Sequence, residues 1–346
     1  MNVLITGAAG YIGTMLIERL AHSDSIETIH GIDLRAQPAR CADYGKVRWV
    51  QADVAEVGWV SRLGVEAIDV VIHCAYQIRE LYGSKKKQQE RWNIDGARRV
   101  FDFALRCPSV RRVVHLSTVS AYGALPANSV DRPFTEASPL REEIYLYGVQ
   151  KKRVEEELRQ LYDRLQPPVH IVVLRLASVS GPHGRFGLNR YGLLSTIAGR
   201  FPFLICGRPD WGRQYLHEDD LVDVVTTFVH APPRTGYQVF NVSPPDFLDA
   251  TGIGRLFDKR VVAVHPLLLR ALFALLWHGT RGAMTTPAGA WRFLSYPIRV
   301  DGSLLQRTHG YAYRYSSLEA LMAQKGRHAE PRQPSFQPSV NDTPAS

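Results

Sequence analysis

A doubly wound parallel α/β sheet followed by a smaller C-terminal lobe is the fold predicted by this 346-residue sequence. Continuous apolar runs alternate with amphipathic segments over the first 176 residues. A glycine-rich turn stands between the first run and the first helix, and beyond residue 176 the regular alternation loosens. Strand alternating with helix is the signature of a parallel sheet with helices on both faces.

Taken in order, "NVLIT" (2–6), "TIHGID" (28–33), "VRWVQA" (47–52), "DVVIHCA" (69–75), "RRVVHLS" (111–117) and "HIVVLRL" (170–176) read as strands. Their apolar residues are continuous, as expected of strands covered on both sides. Helices are predicted at 11–22, 88–106 and 142–165. In the last of these Val154, Leu158, Leu161 and Leu165 recur at helical spacing, with Glu and Arg on the opposite face. Further on, a helix over 221–230 capped by Asp219 or Asp220, a short strand over 237–242 and an apolar helix over 266–278 are expected. The division that follows is a dinucleotide-binding domain over 1–176, a mainly substrate-binding lobe over 177–322 with segments returning to the first domain, and a Pro/Gln/Ser-rich tail over 327–346 expected to be disordered.

Composition narrows the function classes. A net charge of +9 would suit nucleic acid, but the basic residues are dispersed and no recognition motif accompanies them, so an anionic metabolite is the expected partner. Cys41, Cys74, Cys107 and Cys206 lie far apart without a Cys-x-x-Cys pair, which argues against zinc and disulfides and for the cytoplasm. No metal site is expected, because no His/Cys/Asp spacing suits one. The first strand begins at residue 2 without a leader-like segment, and 266–278 is too short to span a bilayer and carries Arg270. That segment reads as a buried or partner-facing helix, with a membrane-surface contact as its alternative.

"TGAAGYIG" (6–13) follows the first strand and opens the first helix. Gly7 permits a tight turn, Gly10 lets the backbone approach a pyrophosphate, and Gly13 permits close helix–sheet packing, while the helix end attracts phosphate. This is a Rossmann-type arrangement. Asp33 ends the second strand 20 residues beyond Gly13, where a carboxylate hydrogen-bonds ribose hydroxyls and repels a 2′-phosphate. NAD is therefore expected over NADP, although Arg35 is close.

Two Tyr-x-x-x-Lys pairs occur, Tyr82/Lys86 and Tyr147/Lys151. The first lies beside further lysines in a loop and reads as a solvated basic segment. The second lies on the helix after the fifth strand, behind the hydroxyl-rich "LSTVSAYG" (116–123). Residues i and i+4 share a helix face, so phenol and ammonium project together. A nearby cation favours the phenolate, and a Thr118 hydroxyl could polarise the same substrate oxygen. The set suits proton transfer at an alcohol while hydride moves to or from a nicotinamide.

From residue 1 to about 322 the chain resembles extended short-chain dehydrogenases/reductases of the NAD-dependent epimerase/dehydratase type, related to UDP-glucose 4-epimerases. "TGAAGYIG" is similar to T-G-x-x-G-x-x-G, "VIHCAY" to V-I-H-x-A-A, "NIDGA" to N-V-x-G-T and "LSTVSAYG" to S-S-x-x-V-Y-G. Tyr147 and Lys151 match Y-x-x-x-K, "LRLASVSGP" is similar to L-R-P-x-N-V-Y-G-P, and "GRQYLHEDDLVDV" to the R-D-F-I-H-V-D-D-L segment. The resemblance implies catalysis by Thr118, Tyr147 and Lys151. It implies NAD contacts from Gly7, Gly10, Tyr11, Ile12, Gly13, Asp33, Leu34, Asp53, Val54, Cys74, Ala75, Asn93, Ser117, Tyr147, Lys151 and Ala177, and substrate contacts from Thr118, Ser178 and Arg213. It also implies a homodimer through 88–106 and 142–165, and a structural role for His217.

Departures from the family pattern bear on substrate. Val119 and Ser120 stand where the 4,6-dehydratases carry Asp-Glu, so elimination of water lacks its acid and base. Ser178 replaces the usual substrate-contacting Asn, and the R-x-G-D segment is absent, Arg292 standing near its place in another context. The leading expectation is an NAD-dependent sugar-nucleotide 4-epimerase. The alternatives are an oxidoreductase of bulky apolar alcohols or ketones, with the 266–277 helix lining a greasy pocket, and a non-catalytic NAD-binding sensor.

Overall fold

The computed structural model describes residues 1–64, 67–184 and 202–323. Its centre is a seven-stranded parallel sheet, ordered β11-β6-β5-β4-β1-β2-β3. The strands are β1 (Asn2–Thr6), β2 (Thr28–Asp33), β3 (Val47–Gln51), β4 (Val70–His73), β5 (Arg112–Thr118), β6 (His170–Leu176) and β11 (Gly236–Val242). The continuous apolar runs are explained by alternation onto two covered faces. Val3, Ile5, Ile72, Val114, Val172 and Leu174 pack with Leu16, Ile17 and Leu20 of α1 (Tyr11–Ala21) and with Leu221, Val225 and Phe228. Leu4, Val71, Val113, Ile171 and Val173 face the other layer, with Val100, Phe101, Val154 and Leu158.

Local departures from the expected boundaries have physical causes. The predicted strand 69–75 stops at His73, because the chain turns there: the Ala75 N–H donates to Thr6 Oγ1 at 3.3 Å and the Gly7 turn packs against Ala75. The predicted helix 88–106 begins earlier, as α2 (Lys85–Glu90), passes through a π turn over Arg91–Asp95, and continues as α3 (Gly96–Arg106). The predicted helix 142–165 begins later, as α4 (Leu146–Leu165). Glu142 Oε1 accepts from the N–H groups of Glu143, Ile144 and Tyr145 at 3.0, 2.8 and 2.9 Å, holding that stretch in a turn instead of a helix. The strand expected at 237–242 is β11, the seventh strand of the main sheet, in parallel register with β6.

The remaining segments make three two-stranded ribbons. β7 (Ser178–Ser180) pairs with β10 (Tyr215–His217), β8 (Phe203–Cys206) with β13 (Arg260–Ala263), and β9 (Gly212–Arg213) with β12 (Leu248–Asp249). With them come α5 (Glu218–His230), α6 (Ala250–Leu256), α7 (Pro266–Gly279), α8 (Ala290–Phe293), α9 (Ser303–His309) and α10 (Ser317–Ala323). α5 is capped by His217, whose Nδ1 accepts from the Asp219 N–H at 3.1 Å, and not by Asp219 or Asp220. Asp220 is instead buried, accepting from the Tyr311 hydroxyl and the Arg314 N–H. The tail expected over 327–346 lies outside the described residues.

This topology fixes where chemistry can occur. β1 pairs with β2 on one side and β4 on the other, so successive connections leave in opposite directions from this point. A crevice opens at the carboxyl ends of strands around such a reversal. Thr6, Asp33, His73, Thr118 and Leu176 are the residues that end those strands.

Candidate active site

Three of the expected residues form the glycine turn. Gly7 has φ +69°, and a Cβ there would lie 2.6 Å from Ala75 Cα, so only glycine fits. A Cβ on Gly13 would lie 2.3 Å from the Gly7 carbonyl oxygen and 2.8 Å from Ala8 Cα. Gly13 therefore lets the helix close onto the turn itself, and not onto the sheet as expected. α1 starts at Gly10 without a side-chain cap. Together the crowded turn and the uncapped helix start leave backbone facing outward, which fits a pyrophosphate.

The β2 end places Asp33 beneath this turn. Its Oδ2 accepts from the Ala9 N–H at 3.0 Å, and its Oδ1 from the Arg35 N–H and Nε at 2.9 and 3.1 Å. Asp33 is buried while Leu34 beside it is exposed. Asp53 is also buried, accepting from the Ala55 N–H at 2.8 Å, Arg91 Nη2 at 2.5 Å and Trp92 Nε1 at 3.2 Å, with Val54 buried next to it. Asn93, on the π turn, accepts from the Gln77 N–H at 2.8 Å and donates to Gln150 Oε1 at 2.8 Å. It thereby clamps the chain after β4, which carries Cys74 and Ala75, to the helix of Tyr147.

Thr118 ends β5, and its Oγ1 accepts from the Ser120 N–H at 3.1 Å. Tyr147 lies one residue inside α4, its phenol beside the Thr118 side chain and its ring 5.4 Å from that of Tyr76. Burial raises the Tyr147 phenol above its ordinary pKa, and the Thr118 contact pulls it part of the way back. Lys151 is 4% exposed, its Nζ donating to the Leu116 carbonyl at 2.6 Å and lying 4.1 Å from the Tyr76 ring centre. Burial lowers its pKa to about 7, against the opposing pull of Cys74 and Glu155. The expectation that a neighbouring ammonium holds the phenol acidic is thus corrected. Desolvation dominates both groups, raising one and lowering the other.

The other expected residues separate into those near the chemistry and those turned inward. The Ser117 hydroxyl donates to Glu155, which also binds Arg175 at 2.9 Å. Arg175 reaches the Tyr122 hydroxyl at 2.9 Å, and Tyr122 donates to Asn241 at 2.7 Å, so Ser117 begins a buried polar chain behind Thr118. Ala177 is buried, its N–H donating to the Val242 carbonyl at 3.0 Å. Ser178 is half-buried on β7, its N–H donating to the Gln214 carbonyl at 3.3 Å. The Tyr11 hydroxyl donates to Glu218, which accepts from His183 Nδ1 at 2.7 Å and is pushed up to about 7 by burial. This joins the glycine turn to the lobe. Ile12 packs at the edge of the core.

Arg213, the third residue for which the resemblance implies a substrate contact, lies on β9 in the smaller lobe. It is 4% exposed, donating to the carbonyls of Gly212 at 2.7 Å, Tyr296 at 2.9 Å and Phe293. Burial lowers its pKa to about 10. Among the described residues it forms no ion pair with a carboxylate, and a buried cation held by carbonyls and the faces of Trp211 and Phe293 favours an anionic ligand. Phe293 links it to the start of α4, its ring 4.6 Å from that of Tyr145.

The other pair dissolves on inspection. Lys86 binds Glu80 at 2.5 Å, and Tyr82 packs on Trp277 at 5.5 Å, so Tyr82 belongs to a contact with α7 and not to a solvated segment. His73 accepts or donates with Thr6 Oγ1 at 2.7 Å, while His115 stacks on it at 5.5 Å, its ring nitrogens without a hydrogen-bond partner among the described residues. Sequence reasoning missed Tyr76, Glu142 and the Glu155–Arg175 pair. Tyr76 stands at the second Ala of V-I-H-x-A-A, and Arg175 is a charge within an apolar strand; those were the available signals.

Residues 3–243 match the NAD dependent epimerase/dehydratase family, and the chain belongs to that family of enzymes. It is 33% identical to an uncharacterized protein of Mycobacterium tuberculosis over 327 residues, 92% of this chain and 82% of that one. It is 33% identical to a UDP-glucose 4-epimerase of Mycolicibacterium smegmatis over 263 residues, 70% of this chain and 77% of that one. Among solved structures, a UDP-glucuronic acid 4-epimerase of Bacillus cereus in complex with a fluorinated UDP-sugar and NAD is similar, with TM-score 0.70 and 20% identity over 94% of this chain and 98% of that one. NAD is the coenzyme of the family, and the crowded glycine turn with Asp33 beneath it fits that group.

Proposed function

We propose that the protein is a UDP-sugar 4-epimerase in which Tyr147 exchanges the C4 hydroxyl proton. The observation that carries this reading is the meeting of the Thr118 hydroxyl and the Tyr147 phenol at the end of β5, above buried Lys151. Bound NAD would supply the acceptor and donor of the C4 hydride. Gly7, Gly10 and Gly13 would hold its pyrophosphate, and Asp33 its adenosine ribose. Thr118 would hold the substrate oxygen while Tyr147 takes its proton. Burial keeps the free phenol protonated at neutral pH, so removing its proton requires a cation at hand. Lys151, titrating near 7, would supply that cation and bind the nicotinamide ribose. Arg213 would face the diphosphate. The UDP-sugar assignment is supported by the relatives that carry 4-epimerase names, including probable UDP-glucuronate and UDP-arabinose enzymes.

The oxidoreductase reading loses one support, because Leu268, Leu272 and Leu275 of α7 face outward. The outward faces of α3 and α4 carry ion pairs, Arg98 to Glu157 at 3.1 Å and Arg106 to Asp102 at 2.7 Å, so the proposed homodimer through them has a polar seam. The function is tested by incubating purified protein with NAD and a panel of UDP-hexoses, UDP-pentoses and UDP-uronates. The reading predicts interconversion of at least one C4 pair without stoichiometric NADH. Stoichiometric NADH, or no interconversion across the panel, rejects it.

A further inference from the structure

The apolar segment at 266–278 is absorbed by the core on one side only. In α7, Leu269 and Trp277 are buried against the lobe, while Leu267, Leu268, Leu272 and Leu275 are 59, 63, 41 and 70% exposed. Leu268, Leu272 and Leu275, at i, i+4 and i+7, make one aliphatic stripe with Leu267 beside it. Met284, tied to the helix end by its N–H to Thr280 Oγ1 at 3.0 Å, is 45% exposed. Isolated exposed leucines need no explanation; a stripe of this kind on one helix marks an interaction surface.

Charge identifies the partner. Residues 259–300 contain Lys259, Arg260, Arg270, Arg281, Arg292 and Arg299 and no Asp or Glu, although the whole chain holds 33 acidic residues. Arg270 on the helix and Arg281 just after it are exposed, and among the described residues neither pairs with a carboxylate. A second copy would bring the same uncompensated positive charge to the contact, which opposes self-association. An anionic lipid surface satisfies both features, accepting aliphatic side chains at the acyl boundary and basic side chains among its head groups. We propose that α7 docks the protein on anionic bilayers, lying in the interface with its leucine stripe inserted.

This surface adjoins the substrate end of the site. α7 packs against α8, whose Phe293 meets Tyr145 and accepts from Arg213. The turn after α7 accepts Arg79 Nη2 at the Gly282 carbonyl, 3.1 Å away, and Tyr82 packs on Trp277. Docking therefore presents the loop after β4 and the Arg213 end of the cleft close to the membrane.

Vesicle flotation with the full chain tests this. Protein is mixed with phosphatidylcholine vesicles with or without phosphatidylglycerol, at low and physiological salt. The proposal predicts at least about tenfold more binding to the phosphatidylglycerol vesicles, weakened by salt. Leu268→Glu/Leu275→Glu should abolish binding, and Arg270→Glu/Arg281→Glu should lower it about tenfold. NAD affinity equal to the parent protein certifies each variant as folded, and the arginine variant decides should the leucine variant fail that check. Absence of binding by the parent protein overturns the proposal. So does undiminished binding by a folded variant, or a dimer of the parent protein that Leu268→Glu/Leu275→Glu dissociates.

Discussion

The two ends of the cleft are built by different means. At the coenzyme end, backbone approaches backbone: Gly7 lies against Ala75, Gly13 against Gly7 and Ala8, and the carboxylate of Asp33 serves to pin the turn. At the proposed substrate end, charged and phenolic side chains are buried or half-buried without carboxylate partners: Lys151 on one carbonyl and one ring, Arg213 on three carbonyls and two rings, and Tyr147 between the rings of Tyr76 and Tyr145 beside Thr118. The first design is a steric mould and the second is a store of desolvated groups. A mould fails when an atom is added. Desolvated groups cost stability while they stand and function when they are removed.

The largest effect that would break this contrast belongs to Tyr147. Tyr147→Phe should lower turnover by roughly 10²- to 10⁴-fold, the share supplied by an acid–base group. Calorimetric NAD affinity should stay unchanged, and a comparable loss of NAD binding would merge the two ends.

Lys151 comes next. Its folded pKa of about 7 lies below the ordinary lysine value of 10.5, so between those values the unfolded chain binds the extra proton and the native state does not. The contribution of this group to stability therefore rises with pH across that window. Lys151→Met should abolish activity yet be more stable at pH 6 by on the order of 2–4 kcal/mol, with the advantage shrinking towards pH 10. Chemical denaturation of both proteins across pH measures this difference. A variant less stable at every pH would show that the lysine is not an electrostatic burden.

Gly7→Ala tests the mould. Positive φ and the clash at Ala75 should cost about 1–3 kcal/mol of stability and weaken NAD binding, read by thermal unfolding and titration. The smallest effect is expected at Arg213. Arg213→Met should raise KM for the UDP-sugar about tenfold, with kcat changed little and NAD affinity unchanged. A kcat loss without a KM change would move Arg213 from binding to positioning.

The same contrast explains what was legible in the sequence. The glycine turn, Asp33 and the Tyr147/Lys151 pair are contiguous or nearly so, and each has one geometric job, so spacing suffices to find them. Arg213 was found by resemblance, but its burial depends on Gly212, Phe293 and Tyr296, which only folding brings together. Glu142 reads as an ordinary surface acid within a helical pattern, and its three N–H partners exist only because the helix starts later. The seventh strand was visible as a strand at 237–242, but β7, β8, β9, β10 and α5 intervene between it and β6, so its place in the sheet does not follow from sequence order. The direction of the Tyr147 shift was misjudged because spacing predicts the neighbour and says nothing of desolvation.

The central claim is that one site removes and returns the same hydrogen at C4 of a UDP-sugar. It is tested most directly by supplying an accepted UDP-sugar deuterated at C4 to the NAD-loaded protein in ordinary water and following the label by mass spectrometry and NMR. The account predicts a C4-epimerised product that keeps its deuterium at C4, with label neither lost to solvent nor accumulating in released NADH. Loss of the deuterium to water during epimerisation, or its appearance in stoichiometric free NADH, would contradict it.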